Sequence, residues 1–373
     1  MKINRFRKTI LKTAAVIFML LFTLTGCTRT STHEQESEAV KEEKLQIGMS
    51  FDSFVIERWL RDRDLFELTA KNFGAEVNVQ VANGDSQEQI SQIRYFIKKE
   101  VDVIVVIAVD GEALEAVINE AKEAGIRTIS YDRLVMNAGT DLYISFDNEM
   151  VGTLMAEALV EAIPDGGNIF AIYGSPTDHN VSQVEKGFLE VIENSNLNII
   201  YSNYCDNWLA ELAFDAVEEG LSTTPRNLVG VMCGNDDLAS QAFRALAENR
   251  LAGKVALVGQ DADLLACQRI VEGTQTMTVY KPVELLAEKA AEFACALGYE
   301  KMLEEKRVEE ADIPEELTSF LAELETLDTI QDGTYEVPCY NLTPIAVTKE
   351  NMDTTIIADD FHTAEDVYLN VTK

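Results

Sequence analysis

VDVIVVIAVDGEALEAVINEAKEAGIRTISYDR (101–133) holds a nearly unbroken apolar run, then a stretch of helical apolar period, then a second β-rich run. Such apolar runs fit strands covered by helices on both faces. The alternation starts at Leu45 and gives ten runs: LQIGMSF (45–51), EVNVQVA (76–82), VDVIVVIA (101–108), RTISYD (127–132), LYISFD (142–147), NIFAIYG (168–174), NIIYSNY (198–204), LVGVMCG (228–234), VALVGQD (255–261) and TMTVYK (276–281). Strand–helix–strand order repeated this often implies parallel sheets with right-handed crossovers. Ten strands exceed one compact sheet, so the sequence predicts an α/β protein of two Rossmann-like lobes.

The remaining composition narrows the class. A chain of 373 residues with 47% hydrophobic content can bury a sizeable core. Its formal net charge of −33 and the lack of a basic stripe among aromatics speak against nucleic acid as a partner. Residues 1–27 read as an export signal: Lys2, Arg5, Arg7, Lys8 and Lys12 precede a short apolar run from Ala14. The run ends in Leu24-Thr25-Gly26-Cys27, which resembles the lipobox of bacterial lipoproteins. That resemblance implies lipidation at Cys27 and an extracytoplasmic protein held on a membrane surface. Residues 28–44 are polar and aperiodic, as in a flexible tether. The other cysteines, at 205, 233, 267, 295 and 339, show no metal-ligand spacing and read as core residues.

In open α/β sheets ligands bind beyond the carboxyl ends of the strands. There the sequence places Arg58-Trp59, Tyr131-Asp132-Arg133, GSPTDHN (174–180), Asp206-Asn207-Trp208, Gly234-Asn235-Asp236-Asp237, Gly259-Gln260-Asp261 and Tyr280-Lys281-Pro282. Planar groups able to donate and accept in pairs suit sugar hydroxyls, and aromatic rings cover the flat C–H faces of a pyranose. Taken singly, each residue has a plainer reading. Arg58 fits a solvated helix start, Asp236, Asp237 and Asp263 fit helix N-caps, and a lone tryptophan fits a core. Their joint placement after strands favours a site.

The strings IGMSFDSFVIERWLRDRD, VANGDSQEQISQI, YISFDNE, GSPTDHN, GNDD, GQDADL and GTQTMTVYKP carry a denser signal. From about Leu45 to Gly298 the chain resembles the periplasmic sugar-binding proteins of ABC transporters, with the type I bilobal fold, and among them the D-xylose binders. The resemblance implies a xylopyranose stacked between Trp59 and Trp208. It also implies polar ligands at Arg58, Arg133, Asp178, Asn180, Asn235, Asp261 and Lys281, no cofactor, no metal, and an ABC permease as partner. It implies a hinge of three segments as well, with 45–145 plus 283–335 forming the N-terminal lobe and 146–282 plus 336–373 the C-terminal lobe. The acidic segment 299–328 departs from the family as an insertion, read as a surface helix pair or a docking surface.

Two other functions are compatible with parts of this reading. A xylose sensor would use the same cleft and engage a membrane histidine kinase. A carbohydrate-active enzyme would need carboxylates free to act as acid and base. The chain has no HExxH helix, phosphate loop or G-x-S-x-G elbow, and its three histidines are scattered, so no enzymatic activity is expected.

Overall fold

The computed structural model describes residues 43–56, 58–224 and 227–371. The expected export signal, the lipidation site at Cys27 and nearly all of the tether lie outside the described residues. Every one of the ten anticipated runs forms a strand: β1 (Gln46–Phe51), β2 (Glu76–Val81), β3 (Val103–Val106), β4 (Arg127–Tyr131), β5 (Leu142–Phe146), β6 (Gly167–Tyr173), β7 (Leu197–Tyr204), β8 (Leu228–Cys233), β9 (Ala256–Gln260) and β10 (Met277–Tyr280). β3 is buried at every position, as its uniform β-branched sequence requires when helices cover both faces. Three further strands, β11 (Asp328–Gln331), β12 (Glu336–Leu342) and β13 (Ile345–Val347), complete two sheets. One runs β11-β12-β5-β4-β3-β1-β2 and the other β13-β10-β9-β8-β6-β7. All pairings are parallel except β11–β12 and β10–β13.

Helices α1 (Arg58–Asn72), α2 (Ser86–Lys98) and α3 (Glu115–Glu123) connect strands of the first sheet. Helices α4 (Asn148–Ala162), α5 (His179–Ile192), α6 (Glu211–Thr223), α7 (Asp236–Glu248) and α8 (Leu264–Glu272) belong to the second. α9 (Val283–Glu304) returns to the first lobe: a Cβ on Gly298 would overlap Leu45 and crowd Val103, so glycine lets this long helix lie directly on the sheet.

The chain passes between the sheets after β5, after β10 and after β12. β12 pairs in parallel with β5 across Cys339–Tyr143 to Leu342–Phe146. Residues 336–342 therefore extend the first sheet, and the boundary expected at 335/336 moves beyond Leu342. The acidic segment 299–328, read as a surface helix pair or a docking surface, packs into the first lobe. Residues 299–304 are the last turns of α9, α10 (Glu315–Leu324) buries Leu317 and Phe320, and β11 forms the edge of the first sheet. Phe320 meets Phe293 of α9 edge-on, with ring centroids 5.5 Å apart. All five described cysteines are free and buried.

Candidate functional site

Between the carboxyl ends of the two sheets lies a cavity lined by residues of both. Eight of the nine expected residues line it: Arg58, Trp59, Arg133, Asp178, Asn180, Trp208, Asp261 and Lys281. Asn235 is not among the lining residues. Its Oδ1 accepts the Leu238 N–H at 2.9 Å, capping α7, so the capping role considered for Asp236 falls one residue earlier.

On the first-lobe side, α1 begins at Arg58 and turns its first residues inward. Arg58 donates through Nη2 and Nε to Asp62, at 2.8 and 3.3 Å, and through Nη1 to Asp132 at 2.8 Å. Asp62 lies one helical turn along α1, which puts it on the same face as Arg58. It also accepts the Tyr131 hydroxyl. The guanidinium of Arg58 sits 4.4 Å from the Trp59 ring centroid, so this indole is stacked by its own neighbour as well as facing the cavity. At 1% exposure Trp59 is also a core residue.

Asp132 follows β4 in a left-handed conformation, φ +60°, that turns its carboxylate into the cavity. Burial pushes its pKa up, but Arg58, Lys281 and Arg133 outweigh that and hold it below the usual carboxylate range. Arg133 donates through Nη1 to Asp52 at 2.7 Å and to the Ala108 carbonyl at 3.1 Å.

The second lobe supplies its groups from helix starts and turns. Asp178 caps α5 through Oδ1 to the Asn180 N–H at 3.0 Å, while its Oδ2 accepts the Trp208 indole N–H at 3.1 Å. Oδ2 also lies 2.9 Å from Arg133 Nε, across the lobes. Burial raises the Asp178 pKa, with Arg133 offsetting it only in part and Asp132 adding to it. Asn207 and Trp208 both take left-handed backbone, and the Trp208 ring lies flat against Gly174, where any Cβ would overlap it. Lys281 Nζ sits 2.6 Å from Asp261 Oδ1.

Several contacts cross the cleft. Asn180 Nδ2 donates to the carbonyl and carboxylate of Asp132 at 2.9 and 3.1 Å, and Asn180 Oδ1 accepts from the Tyr143 hydroxyl. Thr177 donates its hydroxyl to the Val109 carbonyl at 3.1 Å and accepts the Gly111 N–H on its own carbonyl.

Some buried polar atoms of the cavity wall have no protein hydrogen bond: Trp59 Nε1, Arg133 Nη2, Gln260 Oε1 and Asp261 Oδ1. The last of these has the Lys281 ammonium close by, but off the direction a hydrogen bond needs. Donors and acceptors are thus both left open. The sequence reading did not count Asp132, Asn148, Tyr173 and Gln260 as ligands, and they also line the cavity. Asp132 and Gln260 each stand beside a residue that was named, at the end of a strand, and that position was the available signal.

Residues 47–302 match the model of the periplasmic binding protein domain. The chain belongs to the periplasmic binding protein family. It is 44% identical to the D-xylose-binding periplasmic protein of Haemophilus influenzae, over 89% of this chain and 95% of that one. It is 39% identical to the protein of the same name from Escherichia coli, over 93% and 97%. Among solved structures, an ABC transporter solute-binding protein from Clostridium phytofermentans with bound β-D-glucose superimposes with a TM-score of 0.72 at 24% identity, covering 86% of this chain and 99% of that one. A periplasmic solute-binding protein from Actinobacillus succinogenes with bound D-allose gives 0.67 at 25% identity, covering 83% and 100%. As a member of this family the chain shares the two-lobed α/β architecture of solute-binding proteins.

Proposed function

We propose that this protein binds D-xylose between its lobes and delivers it to an ABC permease. The observation that carries the reading is the set of buried, unsatisfied donors and acceptors on the cavity wall, Trp59 Nε1, Arg133 Nη2, Gln260 Oε1 and Asp261 Oδ1. A small ligand that both donates and accepts at each position satisfies all of them, and a sugar hydroxyl does this. Arg58, Arg133, Asp132, Asp178, Asn180, Asp261 and Lys281 would read the hydroxyls, and Trp59 and Trp208 would cover the ring. Asn235 acts from behind, by fixing the start of α7. Two relatives named for D-xylose, matched over most of their length, favour that sugar over other monosaccharides.

The cavity carboxylates are paired with cations, Asp132 with Arg58, Asp178 with Arg133 and Asp261 with Lys281, which suits holding hydroxyls rather than shuttling protons. Binding without turnover is the expected activity. Export and lipidation at Cys27 would hold the protein outside the cytoplasm beside its membrane partner.

Calorimetric titration with a panel of pentoses and hexoses tests the reading. D-xylose should bind most tightly and perturb tryptophan fluorescence, since both indoles line the cavity. A different sugar winning clearly would replace the ligand, and conversion of any sugar into product would replace the function.

A further inference from the structure

Behind the second-lobe wall lies a carboxylate that touches no part of the cavity. Asp236 is the first residue of α7 and is fully buried. Its Oδ1 accepts from Gln275 Nε2 at 2.9 Å. Its Oδ2 accepts from the Thr278 hydroxyl at 2.6 Å and from the Asp263 backbone N–H at 3.2 Å. The same Thr278 hydroxyl accepts the Ala262 N–H at 3.1 Å. The carboxylate therefore grips the segment after β9 twice, directly at Asp263 and through Thr278 at Ala262.

That segment needs holding. Asp261 and Ala262 have φ of +94° and +55°, a left-handed region that a residue with a Cβ occupies only when its surroundings over-determine it. The twist aims the Asp261 side chain at Lys281 and the cavity. Room for the grip comes from Gly259, where a Cβ would overlap Asp236 Oδ1. The arrangement matches an ionised carboxylate, an acceptor at both oxygens for three donors.

We propose that Asp236 is the positioning residue for Asp261: through Thr278 and the Asp263 N–H, its buried carboxylate fixes the left-handed turn that presents Asp261 to the sugar. The inference rests on the sugar-binding reading of the cleft. It adds a residue outside the cavity that sets affinity inside it.

Burial pushes the Asp236 pKa up to about 7, with Thr278, Gln275 and Arg269 opposing and Asp261 adding to the rise. The charged and titratable groups around it are Arg269 and Cys267 on α8, Cys233 at the end of β8, and Asp261 and Asp263 in the turn. A protonated Asp236 turns one acceptor into a donor and mismatches the turn. Sugar affinity then rises with pH through about 7 by way of this group.

The test compares the parent with Thr278→Val, Asp261→Asn and the double variant, by D-xylose calorimetry and by amide hydrogen exchange. Thr278→Val should weaken binding about tenfold in the parent, but no more than about twofold once Asp261 is already Asn. A loss of equal size in both backgrounds, or none in the parent, overturns the proposal. Exchange at Ala262 and Asp263 should accelerate in Thr278→Val and in Asp236→Asn, and unchanged protection also overturns it. Asp236→Asn should remove the part of the affinity change that the parent shows between pH 5.5 and 8, and an unaltered profile would contradict the role. Exchange needs no ligand, so a parent that binds no xylose counts against the sugar reading, while the amides still report on the turn.

Discussion

On the first-lobe side of the cleft, Arg58 and Arg133 each meet two carboxylates, Asp62 with Asp132 and Asp52 with Asp178, whereas on the second-lobe side Lys281 meets one, Asp261. The first wall is shaped by interlocked charges on α1 and β4. The second is shaped by backbone: Asp178 and Asn235 cap helices, and Trp208 and Asp261 stand on left-handed residues. A wall of paired charges is costly to break at any one member, because each partner left behind is a buried, uncompensated ion. A wall of caps and turns yields more locally.

The sharpest way to break this contrast is to remove one cation from each side. Arg58→Met leaves Asp62 and Asp132 without their partner and should cost about 3–5 kcal/mol in urea unfolding, together with loss of measurable sugar binding. Lys281→Met removes the partner of Asp261 alone and should cost clearly less stability. Equal losses would mean that the two walls are built alike.

Acid titration of stability sharpens the contrast through two carboxylates with opposite shifts. Asp132 is held below its usual range, so its contribution is present above the unfolded pKa of about 3.9 and is lost as pH falls through its lower folded value. Asp178 is raised, so its contribution is complete below about 3.9 and is lost as pH climbs through its higher folded value. Asp132→Asn should flatten the acid limb of the stability profile, and Asp178→Asn the limb above it. The same limb responding to both would erase the distinction. The cause is countable in cations: three act on Asp132, and one acts on Asp178.

The smallest expected effect concerns closure. Thr177 bridges the lobes at Val109 and Gly111 and does not line the cavity. Thr177→Val should weaken D-xylose by about two- to tenfold, with the same factor for every other sugar that binds, because it biases the closed state without touching the ligand. A changed order of sugar preference in this variant would place Thr177 within the recognition surface.

Strands β1 to β10 were legible because each carries its own apolar run, and apolar runs bounded by turn residues have few other uses. β11 and β13 were not, since Asp328–Gln331 and Ile345–Val347 are short and partly exposed and become strands only by pairing antiparallel with an existing edge. β12 carries Pro338 within it, which argues against a strand until β5 is there to accept one. Asp62 was within reach as the helical i+4 partner of Arg58. Asp236 was noticed as a strand-end residue and a possible cap but not for its grip on the turn, because its contacts, Gln275 and Thr278, lie about forty residues away.

The sequence by itself determined the two-sheet α/β plan, the residues at the strand ends and the mixed polar and aromatic character of the cleft, since hydrophobic period and strand-end placement are local properties. Only the tertiary structure decided which carboxylate answers which cation, that Asn235 caps a helix, and that the third crossing follows Leu342. Those outcomes depend on distances between segments far apart in the chain, where burial and the nearest opposite charge, rather than residue type, fix what a side chain does.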